Sequence, residues 1–135
     1  METFVWDQYF TTGLPAVDEQ HHALIDAFND LSDALQRNNA GDAEGLTDAY
    51  ERMVAYAQFH FAEEELLMRD RGVDARHVQT HISLHRQFID QVATMWRARG
   101  ALQDPAQSFV GFLTSWLGLH ILGIDQSLAR QVAFM

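Results

Sequence analysis

Apolar residues recur at helical spacing in four long stretches of this chain, and every stretch also turns histidine or carboxylate onto its apolar stripe. Positions three and four apart share one face of an α-helix. A stripe of this kind is buried when helices pack together. The first stretch reads from an Asp18 N-cap through Leu24, Ile25, Phe28, Leu31 and Leu35, with His21 on the same stripe, and stops before Asn38-Asn39-Ala40-Gly41. The second runs from about Asp42 to Asp70 and stops before Gly72; its stripe is Leu46, Met53, Ala57, His60, Glu64 and Leu67. Glu63 lies three residues after His60, so spacing alone also admits it in place of Glu64. The third stretch reads from an Asp74 cap to Gly100, taken as a C′ glycine, with His81, His85, Phe88, Val92 and Met95 on its stripe. The fourth opens on Asp104 as N-cap with Pro105 at the first helical position and carries Phe109, Phe112, Leu113, Trp116 and His120.

Connections are short and nothing reads as a strand. The predicted fold is all-α: an antiparallel up-down four-helix bundle. An aromatic N-terminal arm over residues 1–17 (Phe4, Trp6, Tyr9, Phe10) precedes it, and a short amphipathic helix from Gln126 to Met135 follows. The 135 residues suffice for one domain, 1–135, with its own core. A net charge of −10 argues against nucleic acid or an anionic membrane as partner. The chain has no cysteine, which excludes disulfides, zinc–thiolate sites and thiolate catalysis. It shows neither a signal-peptide pattern nor an unbroken apolar run of about 18 residues, so no membrane span is expected and a cytoplasmic location is.

His77, His81 and His85 recur every four residues. Neighbouring imidazoles in such a series stand about 6 Å apart along the helix and can chelate one metal, whereas the outer two are about 12 Å apart and cannot. His81 and His85 continue into the apolar stripe, so they are the expected pair. His77 falls in the first turn and is expected near solvent, as is His22, which is off its helix's stripe. Asp125 follows His120 by five residues, a step that turns an ideal helix about 140° away from the starting face. Both can address one site only if the helix loosens between them, and Gly118 and Gly123 bracket that stretch.

His21, His60, Glu64, His81, His85, His120 and Asp125 thus face one core. Burying so many ionisable groups uncompensated would cost many kcal/mol. A metal centre compensates them. One ion cannot use all seven residues, but two can, with both carboxylates bridging and the imidazoles divided three and two. With a bridging solvent oxygen, one ion is then six-coordinate and the other five-coordinate with one open position. Two ferrous ions against two carboxylates and a hydroxide leave a single positive charge, which an apolar core tolerates.

These segments resemble the hemerythrins, specifically the bacterial single-domain form, over nearly the whole chain. The matching pieces are Phe4-Val-Trp-Asp-Gln-Tyr with Thr12-Gly13, Asp18-Glu-Gln-His21, His60-Phe-Ala-Glu-Glu64, His81-Ile-Ser-Leu-His85 and Trp116-Leu-Gly-Leu-His120-Ile-Leu-Gly-Ile-Asp125. The resemblance implies a non-haem di-iron centre with a bridging oxo or hydroxo group that binds O2 reversibly. By similarity His81, His85 and His120 would hold the closed iron, His21 and His60 the open one, and Glu64 and Asp125 would bridge. The chain departs from the pattern between Met68 and His81. There Gly72-Val-Asp stands where many relatives have an aromatic–proline turn, and His77 is added.

Leu24, Phe28, Phe112, Leu113 and Trp116 are expected to form an apolar lining for bound O2. Carriage, storage, delivery or sensing of O2 is the expected role, not an enzymatic one. The absence of an attached signalling domain leans toward delivery, with an O2-consuming enzyme as recipient and a monomer or small homo-oligomer as the acting form. The rival is a di-iron oxidase, peroxidase-like or nitric-oxide-handling enzyme. Oxygen-activating bundles typically use four carboxylates and paired Glu-x-x-His motifs, and this donor set is richer in nitrogen. A structural zinc bundle is the plainest alternative.

Overall fold

The computed structural model describes residues 8–37, 43–101 and 104–133. A short 3-10 turn (Gln8–Phe10) leads into α1 (Pro15–Arg37), α2 (Ala43–Asp70), α3 (Ala75–Arg97), a second 3-10 turn (Arg99–Ala101) and α4 (Pro105–His120). A π-turn (Ile121–Asp125) then runs straight into α5 (Gln126–Ala133). Helix α1 packs on α2 and α4, α2 on α3, and α3 on α4, which closes the expected four-helix bundle. No strand occurs among the described residues. Phe4, Trp6 and the expected start of α2 at Asp42 lie outside them.

The helix ends follow from local chemistry, with two differences from the sequence reading. Asp104 accepts from the Gln107 backbone N–H, and Pro105 follows it at the start of α4; Asp74 likewise accepts from the His77 N–H. Asp18 is not the cap of α1, which begins three residues earlier at Pro15. Its carboxylate reaches back to accept from the Thr12 N–H and hydroxyl (both 2.8 Å) and from the Gly13 N–H (3.2 Å). This pins the incoming arm around Gly13, whose φ of 85° suits glycine. Gly100 is not a left-handed C′ residue; α3 ends at Arg97 and Gly100 sits in the following 3-10 turn. The left-handed glycine is Gly72 (φ 61°) after α2. There Val73 N–H bonds to the Met68 carbonyl and Gly72 N–H to the Arg69 carbonyl, the two bonds of a Schellman end.

Two apolar clusters fill the bundle. The larger contains Leu24, Phe28, Leu31, Met53, Phe61, Phe88, Phe109, Leu113 and Leu117; the smaller, Met68, Val73, Leu128 and Val132 with Leu14, Val78 and Ile82 against it. Full burial of a side chain such as Phe88 is worth about 1.5–3 kcal/mol. Along each helix the candidate metal donors fall between residues of the two clusters. His21 lies between Leu14 and Leu24, Glu64 between Phe61 and Met68, His81 and His85 between Val78 and Phe88, and Asp125 between Ile121 and Leu128. The donors therefore form a polar layer walled by apolar side chains at both ends.

Residues Gln107–Val132 form one helical run of 26 residues that contains an 18-residue window of mean hydropathy 1.3, long and apolar enough to cross a membrane by length and composition. It is not an unbroken apolar stretch, since Gln107, His120, Asp125 and Arg130 interrupt it, and one such helix is weak evidence for a membrane span. The run buries His120 and Asp125 among the other donors, and the core helix of a bundle meets the same criterion.

Candidate metal centre

Helix α1 supplies His21, α2 supplies His60 and Glu64, and α3 supplies His81 and His85. His120 ends α4, and Asp125 ends the π-turn. All seven are buried. Glu64 faces inward while Glu63 is exposed, which separates the two residues that spacing could not. The five-residue step from His120 to Asp125 is accommodated by the π-turn, in which the Gln126 N–H reaches the Ile121 carbonyl. A hydrogen bond across five residues widens the turn so that positions five apart return to one face. His120 Nε2 then lies 3.3 Å from Asp125 Oδ1. Neither Gly118 nor Gly123 takes a positive φ, and a Cβ at either would meet nothing within 4 Å. The widening comes from the hydrogen-bond register and needs no glycine.

The donors fall into two overlapping groups: Glu64 with His81, His85 and His120, and His21 and His60 with Glu64 and Asp125. Within each group the ligand atoms lie within 4.8 Å of one another. Glu64 Oε1 is 3.2 Å from His60 Nε2 and 3.2 Å from His85 Nε2. Asp125 places Oδ1 3.0 Å from His81 Nε2 and Oδ2 3.0 Å from His21 Nε2. Both carboxylates thus span the two groups. Despite this closeness, the Nε2 atoms of His21, His81, His85 and His120 and all four carboxylate oxygens have no aligned hydrogen-bond partner. Buried polar atoms left this way are costly. Their convergence on a shared space fits cations, and imidazole nitrogen with carboxylate oxygen is a donor set for first-row transition metals.

Electrostatics agree with that geometry. Burial alone would lower the His81 pKa, but Asp125 and Glu64 outweigh it and hold the value at about 9. His21 is also raised, its contact with Asp125 more than offsetting burial. Burial pushes the Glu64 carboxyl up, yet His60, with His81 and His85, holds it well below the ordinary range. Asp125 is held down in the same way by His120 and His21, against burial and the Glu64 charge. At His120 burial prevails and the pKa falls. The cluster favours ionised carboxylates, the form that binds metal, while His81 and His21 are held toward the protonated form and would release a proton on ligating one.

A second ring of contacts holds the imidazoles from behind. His60 Nδ1–H donates to Gln20 Oε1 at 2.7 Å, and His85 Nδ1–H to Glu65 Oε2 at 3.0 Å. The Phe61 ring stacks on His85 at 3.9 Å and 11°, and Trp116 on His120 at 4.3 Å and 13°. Leu24, Phe28 and Leu113 are buried; Phe112 and Trp116 are half-buried in the same cluster. His22 is exposed, as expected. His77 corrects the sequence reading: it is buried, with Nε2 3.0 Å from His81 Nδ1 and Nδ1 3.0 Å from the Gln131 amide. Helix α5 covers the first turn of α3, which the spacing of α3 alone could not show. Gln20, Glu65 and Phe61 were also not singled out, although each adjoins a donor in sequence.

A family model described as the hemerythrin HHE cation binding domain matches residues 12–132. The chain belongs to the hemerythrin family. The bacteriohemerythrin of Pseudomonas aeruginosa strain LESB58 is 31% identical over 93% of this chain and 78% of its own length. That of Stenotrophomonas maltophilia strain R551-3 is 32% identical over 98% and 83%, respectively. The myohemerythrin of Theromyzon tessulatum is 23% identical over 92% and 89%. Hemerythrins carry a di-iron centre, and the two donor groups here are able to hold it. Family membership supports a di-iron, oxygen-binding protein.

Proposed function

We propose that this hemerythrin-family chain binds O2 reversibly at a di-iron centre, for carriage, storage, delivery or sensing, and is not itself an enzyme. His81, His85 and His120 would hold one iron, His21 and His60 the other, and Glu64 and Asp125 would be shared between them. The observation that supports this reading is that five buried imidazoles divide three and two between groups sharing Glu64, while Asp125 reaches His21 through one oxygen and His81 and His120 through the other; with both carboxylates bridging, one iron would have a ligand fewer. When bound, the iron pair supplies the electrons and the coordination position for O2. The chain's own residues do the rest. Outer contacts at His60, His81, His85 and His120 fix ring orientation, and the two carboxylates would hold both ions. Leu24, Phe28, Phe112, Leu113 and Trp116 form the apolar wall that keeps water, and with it stray protons, from the pocket. We place the protein in the cytoplasm as one domain, acting as a monomer or small homo-oligomer and handing O2 to a consuming enzyme. The lack of cysteine fits a reducing compartment.

The test is anaerobic purification of the reduced protein followed by spectra as O2 is added and removed. The reading expects an oxygenated band that disappears when O2 is lowered, and a metal content of two irons per chain. Azide added to the oxidised protein should occupy the one open position, produce a new charge-transfer band and block oxygenation. Continuous O2 consumption with an electron donor, and no band reversible with O2, would replace this reading with a di-iron oxidase.

A further inference from the structure

His77 is absent from the seven-donor set, yet it is buried at 8% exposure in the first turn of α3. Its ring lies between His81, a donor, and Gln131 on α5. Beside it the smaller apolar cluster joins Met68 of α2 and Val73 of the α2–α3 connection with Leu128 and Val132 of α5, and Val78 and Ile82 of α3 pack against that cluster. The polar pair His77–Gln131 therefore crosses an otherwise apolar helix–helix contact. A buried histidine in such a contact needs both ring nitrogens satisfied, and here both are.

The direction of these hydrogen bonds is set by the inner end. When His81 gives Nε2 to a metal, its remaining ring proton is on Nδ1 and is donated outward. His77 Nε2, 3.0 Å away, must then be the acceptor. A neutral imidazole with Nε2 accepting carries its proton on Nδ1, so His77 Nδ1–H donates to Gln131. The atom set against His77 Nδ1 at 3.0 Å is Gln131 Nε2, so the relay requires the Gln131 amide to be turned over so that Oε1 accepts, an exchange of ends that leaves the side-chain outline unchanged. We infer that His77 and Gln131 are positioning residues: a hydrogen-bonded relay that holds the His81 ring in its ligating orientation and ties helix α5 to the three-histidine half of the centre. The inference rests on His81 being a metal ligand and does not depend on O2 binding.

Zinc-loaded full-length protein, which is diamagnetic, allows the ring protons to be located by long-range proton–nitrogen correlation. The expected pattern is His81 with a proton on Nδ1 and none on Nε2, and His77 with a proton on Nδ1 and none on Nε2. A proton on His77 Nε2 overturns the relay while leaving the metal centre intact. A proton retained on His81 Nε2 overturns the metal-centre reading and the relay with it. A second measurement is the rate at which a chelator strips iron. His77→Phe fills the space without hydrogen bonds and should lose iron about 10-fold faster or more. His77→Gln, whose amide oxygen can accept from His81, should recover most of that loss, and Gln131→Glu, which only accepts, should behave like the parent. Parent-like release from His77→Phe, or equal loss from His77→Phe and His77→Gln, would reduce His77 to packing and overturn the proposal. If either variant fails to fold, the proton positions in the parent protein decide alone.

Discussion

Behind His81, His85 and His120 stand His77, Glu65 and Phe61, and Trp116, so each of these three rings is held by a second group. Behind His21 and His60 the support is thinner. His60 is held by Gln20, whereas His21 Nδ1, like His120 Nδ1, has no hydrogen-bond partner among the described residues; His120 has the stacked Trp116 ring behind it, while His21 meets the edge of His60 at 4.7 Å. Outer contacts restrict ring rotation and raise ligand basicity. On the proposed reading, in which one ion would be enclosed and a small ligand would come and go at the other, unequal bracing of the halves would suit the task. The comparison also separates two kinds of support. On the three-histidine side it comes from α2, α4 and, through Gln131, α5. On the other side it comes from Gln20, next to His21 on α1.

Removing metal from both halves should have the largest effect. Ions that bind only the folded chain stabilise it by about 4 kcal/mol at a thousandfold excess over Kd, which for this size is roughly 15 °C in Tm. Calorimetry of loaded and chelator-stripped protein checks this; equal melting temperatures would mean that the seven residues do not share a metal. Partial stripping should then resolve the halves. Iron at His21 and His60 should leave first, giving a two-phase release, and a single phase would deny the asymmetry.

Next in size is Leu24→Ala, one turn beyond His21 on α1. Truncating this buried side chain should cost about 2–5 kcal/mol and, by admitting water on the less braced side, speed autoxidation without removing iron. Trp116→Ala, on the half-buried ring stacked against His120, should accelerate autoxidation less. The reverse order would place the O2 pocket on the His120 side.

A smaller effect is expected from pH in metal-free protein. The His81 value is raised in the fold from 6.5 to about 9, so the stability it contributes is fully present below pH 6.5 and is lost as pH rises through about 9. Glu64 and Asp125 are lowered, so their contribution is present above the ordinary carboxylate range and lost as pH falls through their depressed values. Melting temperature should therefore be highest between roughly pH 4.5 and 6.5 and fall toward pH 9, while loaded protein, with those nitrogens engaged, should hold level over that upper range. A flat metal-free profile above pH 6.5 would remove His81 from the cluster. The smallest expected change is His22→Ala, an exposed position whose loss should leave metal content and spectra unaltered.

The sequence alone was enough for the helices, their stripes and the inward-facing donors, because burial imposes a period on each helix independently of the others. Leu24, Phe28 and Phe88 announce a buried face, and a histidine in phase with them announces a donor. The need for a loosened helix between His120 and Asp125 was equally readable, since the angle per residue is a local property. Tertiary structure decided what depends on neighbours distant in the chain. It turned Glu64 in and Glu63 out, met the five-residue step with a π-turn in place of glycine freedom, and put the left-handed glycine at Gly72 in place of Gly100. It also buried His77. A residue in the first turn of a helix is exposed or covered according to which other segment lies over it, and here that segment is α5, whose Gln131 is 54 residues away along the chain. Periodicity tells which way a side chain points from its own helix; only packing decides what it meets there.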